Sequence, residues 1–274
     1  MSEFSVLMSL YDKEDPNSYA ECLQSLVDQT LQATEIIVVH DGPVNDELLT
    51  IEKKFEERLP LRIICLKTNQ GLGNALNEGL KHCQYDLILR MDTDDICVPE
   101  RFQKQVAFML KNSDIDIASG TIEEFADNYN LPYASRKLPL EHNQIVEFSK
   151  SRSPFNHMAV AYRKESVVKA GSYQHLLYME DYYLWIRMIL SGCRCANLID
   201  TLVYVRAGRN MLAKRGGKLY AKSELCLLKF MRQHKFIPFL KWFKLVMLRV
   251  PVRLLPVFVR KYIYNYIREE RHSK

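Results

Sequence analysis

No stretch of this 274-residue sequence runs ~20 residues without a charge or a break, so nothing in it reads as a membrane-crossing helix. Paired C-x-x-C spacing is missing as well. The seven cysteines (Cys22, Cys65, Cys83, Cys97, Cys193, Cys195 and Cys226) are an odd number scattered through apolar stretches, which argues for reduced, mostly buried thiols and against a disulfide frame or a zinc site. The N-terminus lacks the basic start and small-residue cleavage site of a secretory signal, and the chain is expected to stay in the cytosol. Internal repeats and low-complexity tracts are absent. Acidic residues run out toward the C-terminus. After Lys229 only Glu269 and Glu270 stand against many lysines and arginines, so the modest net charge of +5 is unevenly placed and the end of the chain is a basic appendage.

What is there is an ordinary globular composition, 47% hydrophobic and 26% charged. Strand and helix patterns alternate along the first 120 residues. Strands are expected at Phe4–Leu10, Ile36–Val39, Leu61–Leu66, Leu87–Met91 and Ile115–Gly120. Helices are expected from Pro16, around Leu48–Phe55, over the face Leu72, Ala75, Leu76, Gly79 and Leu80, and from Pro99 through Lys111. Such a succession calls for a mostly parallel sheet covered on both faces, whose ligands sit beyond the carboxyl ends of the strands. Asp12, Glu14, Asp41 and Asp92 all fall at those ends. A less regular stretch, Asp127–Pro154, precedes a strand at Met158–Tyr162, a helix near Glu180–Ser191 and a strand at Ile199–Val205.

The strand ending at Met91 delivers Asp92, Thr93, Asp94 and Asp95 in succession. Crowded carboxylates repel unless a cation joins them. Hard oxygen donors suit Mg²⁺ or Mn²⁺, which complete their shells with substrate phosphates and water, so a diphosphate substrate fits. The competing reading is a solvated acidic turn in which Asp95 caps the next helix. An EF-hand would need a glycine and a terminal glutamate that are absent, and the position of the motif after the fourth strand argues against an aspartyl phosphotransferase, whose D-x-D usually follows the first. Gly71 and Gly73 follow the third strand, and Leu76 fills the third glycine position, which argues against a dinucleotide-binding fingerprint.

Four ordered segments resemble inverting glycosyltransferase family 2. They are Ser5–Tyr11, Val38–Gly42, Asn69–Gly79 and Met91–Asp95, and the similarity spans about the first three quarters of the chain. The resemblance implies a GT-A fold: α/β, with a mostly parallel Rossmann-like sheet, helices on both faces, and C-terminal amphipathic helices added. It divides the chain into a glycosyltransferase domain over 1–217 (nucleotide-binding half 1–120, acceptor half 121–217) and a basic helical tail over 218–274. It assigns the nucleotide sugar to Leu10, Tyr11, Glu14, Asp41, Asn69, Gly71, Asp92, Thr93 and Asp94, with Asp94 also the ligand of Mn²⁺ or Mg²⁺. Leu76 stands where many members carry an arginine that meets the diphosphate.

Inversion needs a base opposite the leaving group. Glu180 and Asp181 resemble the family's Glu-Asp pair, with Asp181 expected as the base, although both acids would also favour a helix N-terminus. Asn156 and His157 are expected on the acceptor side, and Trp185 either there or in the core one helical turn from Asp181. Arg206 and Arg209, with Lys214 and Arg215 in the glycine-rich stretch Gly208–Gly217, suit a diphosphate. In the tail, Arg249, Arg253 and Arg260 break the apolar run and Pro251 and Pro256 interrupt the helices, which fits cationic amphipathic helices lying on an anionic membrane or, alternatively, a cap packed on the domain. Its large aliphatic side chains favour lipid over nucleic acid.

The expectation is an inverting, metal-dependent hexosyltransferase. It would move galactose or glucose from a UDP-sugar to an N-acetylhexosamine on undecaprenyl diphosphate, with β-1,3 linkage, in O-antigen or polysaccharide assembly. Its place would be the cytoplasmic face of the bacterial inner membrane, bound peripherally. Two alternatives stand beside it: a sugar nucleotidyltransferase, which would need a glycine-rich basic loop where the chain has Tyr11–Asp15, and a non-catalytic membrane adaptor.

Overall fold

The computed structural model describes residues 3–207 and 216–260. Strands β1 (Ser5–Leu10), β2 (Glu35–His40), β3 (Leu61–Cys65) and β4 (Leu87–Arg90) lie side by side and parallel in the order β3-β2-β1-β4. Helices α1 (Pro16–Val27), α2 (Asp46–Phe55) and α3 (Leu72–His82) make the crossovers that parallel neighbours require. The helix starts are encoded locally. Asp15 accepts from Ser18 N at 2.8 Å with Pro16 in the first turn of α1, and Asn45 accepts from Leu48 N at 3.1 Å to open α2.

Side chains on these strands alternate between two cores, as a period of two dictates. Val6, Met8 and Leu10 of β1 and Ile36 and Val38 of β2 pack with α1 and α4 (Arg101–Lys111), whereas Leu7, Ile37 and Val39 pack with α3 and α7 (Glu180–Leu190). Gly79 lets α3 come close, because a β-carbon there would overlap Leu7 and Val39.

The second half of the sheet is mixed. Beyond β4 the order continues β8 (Ala161–Arg163), β6 (Ile117–Phe125), β9 (Cys195–Arg206), β5 (Ile96–Cys97), with β7 (Ala134–Arg136) on β6. Four of its pairings are antiparallel and one, β6 with β9, is parallel. Parallel pairing thus runs through β1 to β4 and recurs between β6 and β9, while the remaining pairs of this half are antiparallel. Residues His157–Ala159 form a 3-10 turn rather than the start of a strand, and the stretch 127–154 contains β7 and α5 (His142–Ser149). All seven cysteines are free, and five of them are buried.

After α6 (Lys164–Lys169) and α7, the last described elements are α8 (Lys218–Gln233) and α9 (Phe239–Leu254). They pack on α7 through a third core that joins Met179, Tyr182 and Ile186 to Tyr220, Leu227, Leu228, Met231 and Ile237. Glu224, fully buried, pairs with Arg249 at 2.5 Å and Arg253 at 3.0 Å and ties α8 to α9. Pro251 does not interrupt α9, which runs through it to Leu254; Pro256 lies just past that end. No described helix is long and apolar enough to cross a membrane.

Candidate active site

The carboxyl ends of β1, β2 and β4 open on one edge, and three loops meet there. The first is anchored by Asp41. Its amide donates to the Leu10 carbonyl at 2.7 Å, and its carboxylate accepts from Gln70 N at 2.6 Å and Gly71 N at 2.9 Å. Asp41 thus holds the glycine-rich turn against the end of β1. Gly42 adopts φ +91°, and a β-carbon on it would come within 2.7 Å of Asn69 N, so only glycine lets the two backbones approach. The result is a cleft of about 420 Å³ lined by Tyr11, Asp12, Lys13, Asp41, Gly42, Pro43 and Asn69. Leu10 itself is buried in the core, and what it offers this edge is its carbonyl.

The second loop carries the acidic cluster. Carboxylate oxygens of Asp92, Asp94 and Asp95 lie within 4.8 Å of one another. Their roles differ. Asp92 pairs with Arg90, whose side chain is buried beneath it. Asp95 is buried and accepts from Arg206 N at 2.9 Å, so it fastens β9 to the cluster and does not cap α4. Asp94 has neither partner. Burial and repulsion from Asp92 and Glu14 push its carboxyl up to about 7. That repulsion is what a cation would relieve, and hard carboxylate oxygens fit Mn²⁺ or Mg²⁺. Glu14 reaches the same place from the loop after β1, accepting from Thr93 Oγ1 at 2.7 Å. Burial, Glu14 and Asp94 together raise the Tyr11 phenol.

Arg206 lies beside the cluster, but its guanidinium is engaged. It pairs with Glu21, donates from Nε to the Asp94 carbonyl at 3.2 Å and stacks 4.8 Å over the Phe125 ring. Arg209, Lys214 and Arg215 lie outside the described residues.

The third part is the start of α7, where Glu180 and Asp181 occupy the first turn. Burial raises Glu180, with the charge of Asp181 adding to it. The glycine-rich helix reaches across to this turn. A β-carbon on Gly73 would sit 3.4 Å from Glu180 Cγ, and Asn77 exchanges hydrogen bonds with the Tyr173 backbone at 2.7 and 2.9 Å. Tyr173 in turn bonds His157 Nε2 at 2.9 Å, and its hydroxyl feels the charges of Arg90, Asp181 and Asp92. The Asn69–Gly79 segment therefore joins the acidic cluster's side of the site to the Glu-Asp side.

Two expected acceptor residues are not on the surface of the cleft. Asn156 is buried and stitches β6 through Nδ2 to the Gly120 carbonyl at 2.8 Å. Trp185 is fully buried against Phe155, His157 and Tyr173, which is the core placement expected for it. His157 is half-buried, and burial together with Arg90 holds its imidazole well below the usual value, so it is neutral. Sequence reasoning did not single out Arg90, Tyr173 or Asn77. Arg90 left a signal, a lone charge inside the apolar run Leu87–Met91, whereas Tyr173 left none.

The profile of glycosyl transferase family 2 matches residues 5–176, so the chain belongs to that family and is a glycosyltransferase. Its relatives include bacterial glycosyltransferases. The amylovoran biosynthesis glycosyltransferase AmsE of Erwinia amylovora is 44% identical over 96% of this chain and 98% of its own. The UDP-Gal:alpha-D-GlcNAc-diphosphoundecaprenol beta-1,3-galactosyltransferase of Escherichia coli is 37% identical over 97% and 96%. Among solved structures, S. aureus TarS 1-349 in complex with UDP-GlcNAc superposes with a TM-score of 0.67 at 20% identity, covering 89% of this chain and 70% of that one. The mannosyltransferase PcManGT from Pyrobaculum calidifontis, in complex with GDP-Man and Mn²⁺, superposes at 0.68 with 16% identity, covering 92% and 72%. These two establish the fold, which is GT-A. The family sets aside the nucleotidyltransferase and the adaptor.

Proposed function

We propose that the protein is an inverting transferase that moves a hexose, galactose or glucose, from its UDP-sugar to an N-acetylhexosamine carried on undecaprenyl diphosphate, forming a β-1,3 bond. It would act peripherally at the cytoplasmic face of the bacterial inner membrane during polysaccharide or O-antigen assembly. The E. coli relative, at 37% identity along nearly the whole chain, supports this acceptor and linkage.

The observation that carries the reading is the arrangement of Asp92, Asp94 and Asp95 beside the Tyr11–Asp41–Asn69 cleft. The cleft suits a nucleoside, with Tyr11 offering a ring face and Asp41 holding the Asn69–Gly71 turn in place. Asp94, the cluster's carboxylate without Arg90 or Arg206 N as partner, would hold Mn²⁺ or Mg²⁺, and Asp92 would face the ribose side. A bound divalent ion would neutralise the charge that builds on the departing diphosphate. Asp181 would take the proton from the acceptor hydroxyl as that oxygen attacks the anomeric carbon, while UDP leaves with the electrons of the broken bond. Glu180, held against Gly73, would keep the start of α7 at the edge of the donor site. His157, neutral and fixed by Tyr173, would offer the acceptor a hydrogen bond without a charge.

Calorimetry separates these roles. Asp94→Ala is expected to abolish Mn²⁺-dependent UDP binding. Asp181→Asn is expected to bind UDP as the parent does yet turn over at least a thousandfold more slowly. Normal turnover by Asp181→Asn would remove it from the reaction.

A further inference from the structure

Three of the four cations of α9 are held in ion pairs with the rest of the domain. Lys241 pairs with Glu147 at 2.7 Å, Arg249 with Glu224 at 2.5 Å while also donating to the Ser151 carbonyl at 2.9 Å, and Arg253 with Glu224 at 3.0 Å beneath the Tyr220 ring. Apart from Lys244, what the helix leaves exposed is apolar. Phe239 is 55% exposed, Leu240 81%, Phe243 52%, Met247 57% and Leu254 56%, and the stripe continues to Phe258 at 75% just past the helix. Leu240, Phe243, Met247 and Leu254 recur three, four and seven residues apart, which aligns them on one face. Lys244 is the exposed cation among the described residues of that face. Helix α8 differs: Lys222 and Lys229 are exposed on it.

We infer that the α9 face enters the hydrocarbon of a bilayer, so that attachment rests on apolar insertion rather than on attraction between a basic tail and anionic lipid. An apolar stripe this long has to be covered. Several large apolar side chains left in water along one helix fit an interfacial helix with its apolar side below the headgroups. Charge complementarity selects the occupant. With the paired cations neutralised by Glu147 and Glu224, the face has little to offer an acidic partner and much to offer acyl chains. The inference rests on the proposed lipid-linked acceptor only in that it brings the active site to a membrane; the contact itself is independent of the sugar transferred.

The test is sedimentation of the full chain with phosphatidylcholine vesicles, which carry no net charge, at low salt and again at 0.5 M NaCl. The parent is expected to pellet with them and to lose no more than about twofold in partitioning at high salt, since apolar insertion is not screened. The double variant Leu240→Glu/Phe243→Glu is expected to lose more than tenfold, and Lys244→Glu to stay within threefold. All these side chains are exposed, so folding is checked by UDP binding, which should be unchanged in every variant. Binding confined to phosphatidylglycerol-containing vesicles and lost at 0.5 M NaCl would overturn the inference in favour of electrostatic attachment. So would a parent that ignores both vesicles and runs as a dimer broken by Leu240→Glu/Phe243→Glu, which would give the face to a second copy. Insertion without transfer to any lipid-linked acceptor would sink the proposed function and leave this inference standing.

Discussion

Arg90 offers the sharpest test of how the acidic cluster is held. It is 1% exposed at the end of β4, its Nη2 pairs with Asp92, and its Nε and Nη1 have no hydrogen-bond partner among the described residues. Arg90→Met keeps the length and apolar stem but strips Asp92 of its counter-charge next to Asp94 and Asp95. Removing one member of a buried ion pair costs about 3–5 kcal/mol. The Asp92 side chain is 31% exposed, so water recovers part of that, and losing two unpartnered donors returns about 1 kcal/mol or more. The net expectation is a loss of about 1–2 kcal/mol, a lowering of the melting temperature by about 2–8 °C. Two further melts identify the cause. Arg90→Met/Asp92→Asn should regain most of the loss, because the stranded charge is gone. Mn²⁺ with UDP should raise the melting temperature of Arg90→Met more than that of the parent, because a cation replaces the missing one. An unchanged melting temperature in Arg90→Met, or strict additivity in the double variant, would refute the reasoning.

Gly42→Ala would force a β-carbon within 2.7 Å of Asn69 N at φ +91°, displacing the turn that Asp41 holds. UDP affinity should fall at least tenfold by calorimetry, and parental affinity would mean the turn is not part of the nucleotide site. Asn77→Ala removes both hydrogen bonds to the Tyr173 backbone and should destabilise by about 1–2 kcal/mol in urea titration. Its turnover should drop while UDP affinity holds; equal losses in both would place Asn77 in the donor site alone. His157, depressed by burial and Arg90, binds fewer protons folded than unfolded, so its contribution to stability is present above the ordinary histidine value of about 6.5 and is lost as pH falls below it. The fall in melting temperature between about pH 7.5 and pH 5.5 should accordingly shrink in His157→Gln, and an undiminished fall would show that His157 is not the group responsible.

Much of the nucleotide half was legible because its information is local. Pro16 announces α1, the apolar strands give the period, and candidate ligand residues fall at strand ends by the rule of α/β sheets. The second half was less so. β5 is two residues long and β7 three, and both exist only because long strands β9 and β6 offer an edge. The link from Asn77 to Tyr173 spans 96 positions and leaves no trace in either neighbourhood. The tail's lysines and arginines read as a charged surface in sequence, but Glu147 and Glu224 lie far from them in the chain or on another helix, and only the packed structure reveals that these acids pair with Lys241, Arg249 and Arg253.

Product stereochemistry tests the proposed inverting transfer of a hexose from a UDP-sugar to a lipid-linked N-acetylhexosamine most directly. A screen of UDP-hexoses with Mn²⁺ and a synthetic N-acetylglucosaminyl diphospholipid, read by NMR of the product, should yield one β-linked disaccharide from an α-linked donor, with Asp181→Asn yielding none. An α-linked product, or no product from any UDP-hexose while the protein still binds UDP, would contradict the account.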